Sequence, residues 1–288
     1  MAGPGFGNGY PCSRLRIQAS EDTVPASQTA SWSWLRRKRN APRAPSETTM
    51  TGDASCLCLP QTASPAEAPP MMLPADYRIR LMQPTDYAAI SEICRVVYPH
   101  DIPYTTDELA EHHAVFPQGQ FVVEHVPTGQ PVGVHFTLRI RMADYHVDDP
   151  WDVLTAKGTF GDHNPEGPTL YGADVFVSPQ HQHHGLAHAL TDATRGLVVS
   201  ENLWRMVGGS RLPGYGAVAD AIKADDYVRE VVSGSRTDPV LSAHLKDGWQ
   251  VVRPIHGYLQ HDRESANWAA VIQWVNPDRP PPPEFALR

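Results

Sequence analysis

Apolar and polar residues take up a regular period at Tyr77 and keep one to about Val275. "YRIRLM" (77–82) alternates as a half-buried strand does, and "PTDYAAISEICRVV" (84–97) then sets Tyr87, Ile90, Cys94 and Val97 on one helical face. "TTDELAEHH" (105–113) opens a short helix, with Thr105 and Glu108 at capping-box spacing. "QFVVEHV" (120–126) and "VGVHFTLRIRM" (132–142) read as a hairpin whose second arm puts Val132, Val134, Phe136, Leu138, Ile140 and Met142 on one face. Residues 143–168 form a long loop with Trp151 and "GDHNPEGP" (161–168), and loops of that length inside a domain tend to be functional or mobile. "LYGADVFV" (170–177) is a strand stopped by Ser178-Pro179, and Leu186, Leu190, Ala193 and Leu197 mark the stripe of the next helix.

Beyond it, "WRMVGG" (204–209) reads as a short buried strand and "GYGAVADAIKADDYVREVVSG" (214–234) as a helical insertion. "DPVLSAHLKDGW" (238–249) precedes two long strands, "WQVVRPIHGYLQHD" (249–262) and "WAAVIQWV" (268–275). No internal repeat is present. The pattern predicts one mixed α/β domain over 74–277, between a disordered N-terminal extension (1–73) and a disordered, proline-rich tail (278–288).

Composition changes this picture little. A hydrophobic content of 41% in 288 residues suits a globular protein, and no run approaches the ~20 apolar residues of a membrane-spanning helix. The extension shows no apolar signal-peptide core. Its basic run "WLRRKRNAPR" (34–43) reads as a solvated part of a disordered arm, and Met50, Met71 and Met72 leave open where translation starts, so no function is assigned to it. The four cysteines, Cys12, Cys56, Cys58 and Cys94, show no disulfide framework, which points to a reducing cytoplasm. "CLC" at 56–58 lacks the second ligand pair of a zinc site, and Cys94 reads as core.

Charge is more informative. The net −8 is unevenly spread: residues 1–70 hold seven Lys/Arg and five Asp/Glu, which leaves 17 basic against 27 acidic residues, net −10, in the remainder. An acidic globule repels nucleic-acid backbones and attracts cations such as alkylammonium compounds. Charge thus argues against a nucleic-acid partner but picks no ligand; no membrane partner is expected, and a homodimer stays open.

The chemistry concentrates in "DVFVSPQHQHHGLAHAL" (174–190), which carries His181, His183, His184 and His188. His184 and His188 stand four apart on a helix, a spacing that suits a metal, but no Glu lies between them and His181 precedes the helix. The competing reading looks to the backbone. A strand ends at Val177, the chain turns over Pro179, and a helix starts near Gly185. The first N–H groups of a helix lack intrahelical partners and favour an anion, and a glycine there admits a phosphate.

Gln182-His183-His184-Gly185-Leu186-Ala187, after a strand and a proline, resembles the Q/R-x-x-G-x-G/A coenzyme signature of the GCN5-related N-acetyltransferase (GNAT) superfamily. The element order agrees over the whole ordered region, and "AHLKDGW" (243–249) is similar to the family's late Y-x-K-x-G-F segment. "MVGGSRLPGY" (206–215) and "DPVLSAHLKDGWQVV" (238–252) resemble acetyltransferase modules fused to carbon–nitrogen hydrolase domains. The resemblance implies an α/β (α+β) fold: a central mixed, mostly antiparallel twisted sheet with a splayed parallel strand pair, flanked by helices. It implies acetyl-CoA as co-substrate, with no metal, and an acetyl group moved to the amine of a small-molecule acceptor by direct attack in a ternary complex. Backbone N–H groups over Gln182, His183, His184, Gly185, Leu186 and Ala187 would hold the pyrophosphate, and the histidines, where protonated, would assist.

Catalysis needs three further groups. Asp174 is the expected base toward the ammonium, whose ordinary pKa is near 10.4; Tyr171 stands where some members carry a glutamate. An amide at Val175 or Val177, where the strand is expected to bulge and diverge, would face the thioester oxygen. His244 falls where the family's acid, a tyrosine, stands. Tyr258 is the alternative donor, with Tyr215 and Tyr227 behind it. Arg211 in "RLPGYG" (211–216) would bind an acceptor carboxylate, and His112, His113, Asp162 and His163 would line the site. Two alternatives follow from His244 and from the histidine cluster: a non-catalytic acyl-CoA-binding module of the same fold, and a metal-binding protein.

Overall fold

A computed structural model describes residues 73–99, 102–146, 148–260 and 262–282. The expectations for 1–72 and 283–288 lie outside the described residues. Strand β1 (Tyr77–Leu81) is followed by helices α1 (Tyr87–Val97) and α2 (Thr106–Val115), then by β2 (Gln120–His125) and β3 (Gln130–Ile140). Next come α3 (Trp151–Leu154), β4 (Thr169–Val177), α4 (Leu186–Ser200) and β5 (Arg205–Arg211). Helices α5 (Ala224–Val232) and α6 (Leu241–Lys246) precede β6 (Gln250–His256) and β7 (Trp268–Val275).

The strands form one seven-stranded sheet in the order β1-β2-β3-β4-β5-β7-β6. All neighbours are antiparallel except β4 and β5, the pair joined by the α4 crossover. Both faces are covered. Helices α1–α3 pack on one, over Val134, Phe136, Leu138, Tyr171 and Phe176. On the other, α5 and α6 pack over Leu170, Met206, Ala270 and Ile272, and the start of α4 packs over Val123, Val132 and Val177.

Local chemistry explains several elements. Thr105 Oγ1 accepts the Glu108 N–H (3.2 Å) and Glu108 Oε2 accepts the Thr105 N–H (2.9 Å), so the capping box at α2 forms as expected. In α4 the buried positions are Leu186, Leu190, Thr191, Thr194 and Val198, whereas Ala193 and Leu197 of the expected stripe are only partly buried. The threonines enter the interior because Thr191 and Thr194 donate to the carbonyls of Ala187 (3.0 Å) and Leu190 (2.9 Å).

The 143–168 loop packs inward: Trp151, Leu154 and Phe160 are buried, and the Trp151 indole donates to the Ala173 carbonyl (2.8 Å). Two sequence expectations are corrected. Only 224–232 of the insertion is helical, since Gly214 and Gly216 hold turns against Tyr227 and the 263–264 backbone. The first of the long closing strands ends at His256, where Gly257 adopts φ +74°.

Candidate active site

The site starts where β4 leaves β5. Their parallel pairing covers only Thr169–Gly172 against Arg205–Gly208. In β4, Ala173 is an extra residue between the Gly172–Thr137 and Asp174–Phe136 partners on β3, a bulge that turns the strand. The divergence therefore begins at Ala173, upstream of the Val175 or Val177 expected from the sequence. Gly172, Gly208 and Gly209 line the gap, together with Ala173, Asp174, Val175, Thr191, Met206 and Ile272. Both Val175 and Val177 are in the diverged segment, but Val175 lines the gap while Val177 is buried against Leu186 and Leu190.

At the outer end the chain turns over Pro179–His181 into α4. His183 (φ +66°) and Gly185 (φ +73°) both adopt the left-handed conformation, and α4 starts at Leu186 with no side-chain cap. Its first N–H groups thus carry the positive end of the helix without a side-chain acceptor from the cap. The Gln182 side chain folds back onto the Val177 carbonyl (3.1 Å) and staples the turn. His184 Nδ1 donates to the Gln182 carbonyl (2.9 Å), His181 Nδ1 meets the Tyr77 hydroxyl (3.1 Å), and Ala187 is half-buried. His188 lies between Asp192 (3.1 Å) and Asp247 (3.0 Å). The rings of His181, His184 and His188 thus have separate partners. Among the described residues, no group of three or more His, Cys, Asp or Glu is placed to hold a metal ion.

Four aromatic hydroxyls gather near Asp174 on the α1–α3 face. Asp174, 4% exposed, accepts from Tyr98 (3.2 Å) and Tyr104 (3.2 Å). Beside it the Tyr171 and Tyr258 hydroxyls are 2.5 Å apart. Tyr258 lies on Gly209, where a Cβ would come within 2.1 Å of its ring, and the Gly209 backbone hydrogen-bonds its hydroxyl. Burial raises the pKa of both phenols above the ordinary tyrosine value, which weakens Tyr258 as a proton donor.

Two buried imidazoles also line the gap. His244, from α6, has Nδ1 3.0 Å from Ser210 Oγ and its ring edge-on to Trp249. Burial, with His135 and Arg195 nearby, lowers its pKa to about 3, so at neutral pH the ring is uncharged and holds no proton to give as an imidazolium. His135, from β3, is lowered to about 4, chiefly by burial. The sequence reading missed His135, Thr194, Ser210 and Trp249. In the chain His135 occupies the polar side of an alternating strand, and only burial of both sheet faces brings it inside.

Other expected site residues are engaged elsewhere. Arg211 pairs bidentately with Asp262 and reaches Glu264 (3.1 Å), so it is not free for an acceptor carboxylate. His112 stacks on Phe160, His113 meets the Tyr87 hydroxyl (2.7 Å), and His163 accepts the Arg139 N–H (3.1 Å). Tyr215 and Tyr227 donate to the Ile222 carbonyl (3.1 Å) and to Asp238 (2.8 Å).

No family profile matches the chain. Over 179 residues it is 33% identical to the uncharacterized N-acetyltransferase YkwB of Bacillus subtilis, covering 62% of this chain and 78% of YkwB. The chain belongs to the GCN5-related N-acetyltransferase superfamily. It is also 31% identical over 200 residues to the probable hydrolase YhcX of Bacillus subtilis, 69% of this chain but only 39% of YhcX. That partial match agrees with the resemblance to modules fused to hydrolases. Two solved structures show the same fold. The GphF GNAT-like decarboxylase in complex with isobutyryl-CoA superposes with TM-score 0.56 at 22% identity, over 69% of this chain and 99% of its own. The loading GNATL domain of CurA from Lyngbya majuscula gives 0.62 at 17% identity, over 70% and 99%. The GNAT fold expected from the resemblance, with its splayed parallel pair, is the fold observed.

Proposed function

We propose that the chain is an acetyl-CoA-dependent N-acetyltransferase that moves the acetyl group to the amine of a small-molecule acceptor by direct attack in a ternary complex. The observation that supports it most is the gap between β4 and β5, with the uncapped start of α4 at its outer end and Asp174 at its inner end. These residues suit a phosphorylated thiol coenzyme. The first-turn amides of α4, with Gly185, Leu186 and Ala187, would hold the pyrophosphate, and His183 and His184 are exposed beside it. The bound coenzyme supplies the acyl thioester. Asp174, oriented by Tyr98 and Tyr104, accepts the acceptor's proton, and the freed backbone at Val175 faces the carbonyl oxygen. His244 acts on the sulfur as a neutral hydrogen-bonding group. The N-acetyltransferase designation of YkwB supports this reading. A cytoplasmic setting belongs to the same proposal, and the buried Cys94 thiol, which is in no disulfide, is compatible with it.

A second reading is favoured by His244 itself, a neutral imidazole where the resemblance expects a tyrosine. The slot would then bind an acyl-CoA without passing its acyl group to an amine; one fold neighbour is a GNAT-like decarboxylase with isobutyryl-CoA bound. Thermal unfolding with acetyl-CoA tests both. Ligand at ~100 times its dissociation constant adds about 2.7 kcal/mol, a rise of several degrees for a domain of this size. A shift together with acetylated product from an amine panel supports the transferase. A shift with no product across amines supports the second reading, and no shift removes both.

A further inference from the structure

We propose that Trp151 is a positioning residue for the transfer step: it pins the bulge of β4 and so aims Asp174 and the Val175 amide at the reacting atoms. This rests on the transferase reading given above.

The bulge needs an outside contact to hold it. In the sheet register Ala173 has a partner on neither side. On β3 the pairs pass from Thr137–Gly172 to Phe136–Asp174, and on β5 the pairing stops at Gly172–Gly208. A residue outside the ladder takes the direction that its surroundings impose. Trp151 supplies such a contact: its indole N–H donates to the Ala173 carbonyl at 2.8 Å, in a buried position. That carbonyl belongs to the same planar peptide unit as the Asp174 nitrogen. The hydrogen bond therefore sets the plane from which Asp174 departs, and the Val175 amide follows one residue on.

Trp151 is itself held at its main chain. Its N–H donates to the Tyr258 carbonyl (3.1 Å), and its carbonyl accepts from Thr155 Oγ1 (2.8 Å). It thus links the bulge to the segment after β6 whose Tyr258 hydroxyl meets Tyr171. The turn behind α3 is a costly one. Ala156 (φ +51°), Lys157 (φ +61°) and Gly158 (φ +79°) are left-handed in succession, and two of the three carry a Cβ. Such strain persists only where other contacts over-determine it, and it gathers at functional sites. Here Thr155 Oγ1 also accepts the Gly158 N–H (3.0 Å), so one hydroxyl locks both the strained turn and Trp151. Covering this face of the sheet asks only for a large apolar ring, which phenylalanine would provide. The indole N–H adds a directional bond that packing alone does not need.

The test compares the full wild-type chain with Trp151→Phe and with a chain carrying the benzothiophene isostere of tryptophan at Trp151. The isostere keeps the outline of the indole and deletes only its N–H. In 15N-labelled, ligand-free protein, the Asp174 and Val175 amides should shift and exchange with solvent about tenfold faster in both altered chains. The amides of Leu170 and Tyr171 should stay within about twofold. In acetylation of an amine, kcat should fall roughly 10²-fold, the effect of misplacement by about 1 Å, with KM for acetyl-CoA within about twofold of wild type. A tryptophan that serves packing alone would move neither the amides nor kcat in the isostere chain. Unmoved amides, or a kcat within about twofold of wild type in that chain, therefore overturn the proposal. The isostere chain decides the matter if Trp151→Phe fails to fold. A wild-type chain that acetylates no amine of the panel removes the transferase reading itself, and this inference with it.

Discussion

Two neutral imidazoles inside the sheet make the stability of this domain depend on pH, by an amount that can be worked out. In the unfolded chain each ring titrates near 6.5, while in the fold His135 and His244 are lowered to about 4 and about 3. Below pH 6.5 the unfolded chain takes up protons that the native state refuses, so stability is complete above that pH and falls as the pH drops. The loss stops only where the folded rings themselves protonate. Between pH 7.5 and 5.0 each ring removes ~2 kcal/mol at about 1.4 kcal/mol per pH unit, and the pair ~4 kcal/mol. At 2–4 °C per kcal/mol for a domain of this size, the melting temperature should fall by roughly 8–16 °C. His163, lowered to about 4 by burial and Arg139, acts in the same direction, less strongly because it is only half-buried. The assay is urea unfolding at both pH values, for wild type and for the double variant His135→Gln, His244→Gln. The variant should lose most of the difference between the two pH values, whatever its stability at pH 7.5. If its drop stays within 1 kcal/mol of wild type, the rings are not neutral in the fold.

Gly209→Ala would force the Tyr258 ring off β5, since the new Cβ would lie 2.1 Å from it; overpacking and loss of the Tyr171 contact should cost about 2–5 kcal/mol, and a melting temperature within 2 °C of wild type would contradict that packing. Gly185→Val places a β-branched side chain at φ +73° beside the α4 amides. It should abolish the acetyl-CoA-induced rise in melting temperature while the circular dichroism spectrum is retained; a preserved rise removes the helix start as the phosphate site. Asp174→Asn should lower kcat for amine acetylation by about 10²–10⁴-fold with little change in KM for acetyl-CoA, and an unchanged kcat assigns the base elsewhere.

Much of this molecule is legible from the chain alone. The capping box of α2, the ends of β4 and the glycine that starts α4 are set by neighbours within a few residues, and local backbone chemistry does not need the rest of the fold. The turn that resembles the coenzyme signature is legible for the same reason: its amides are presented by the residues that form it. The alternation of β3 disclosed one buried face, but not that α4 covers the other. That second layer turns His135 from a solvent-side residue into a buried one, matched to Thr194 from 59 positions away. Tertiary packing likewise decided that Tyr258 meets Tyr171, that Arg211 is held by Asp262, and that Trp249 and His244 close one slot with Ser210. Which of many histidines and tyrosines are buried depends on what crosses them in space, because desolvation and hydrogen-bond pairing act over a few ångströms and ignore distance along the chain. The placement of the bulge at Ala173 belongs with these: it is held by a pairing with β3 and by the Trp151 indole, neither of which lies beside it in the sequence.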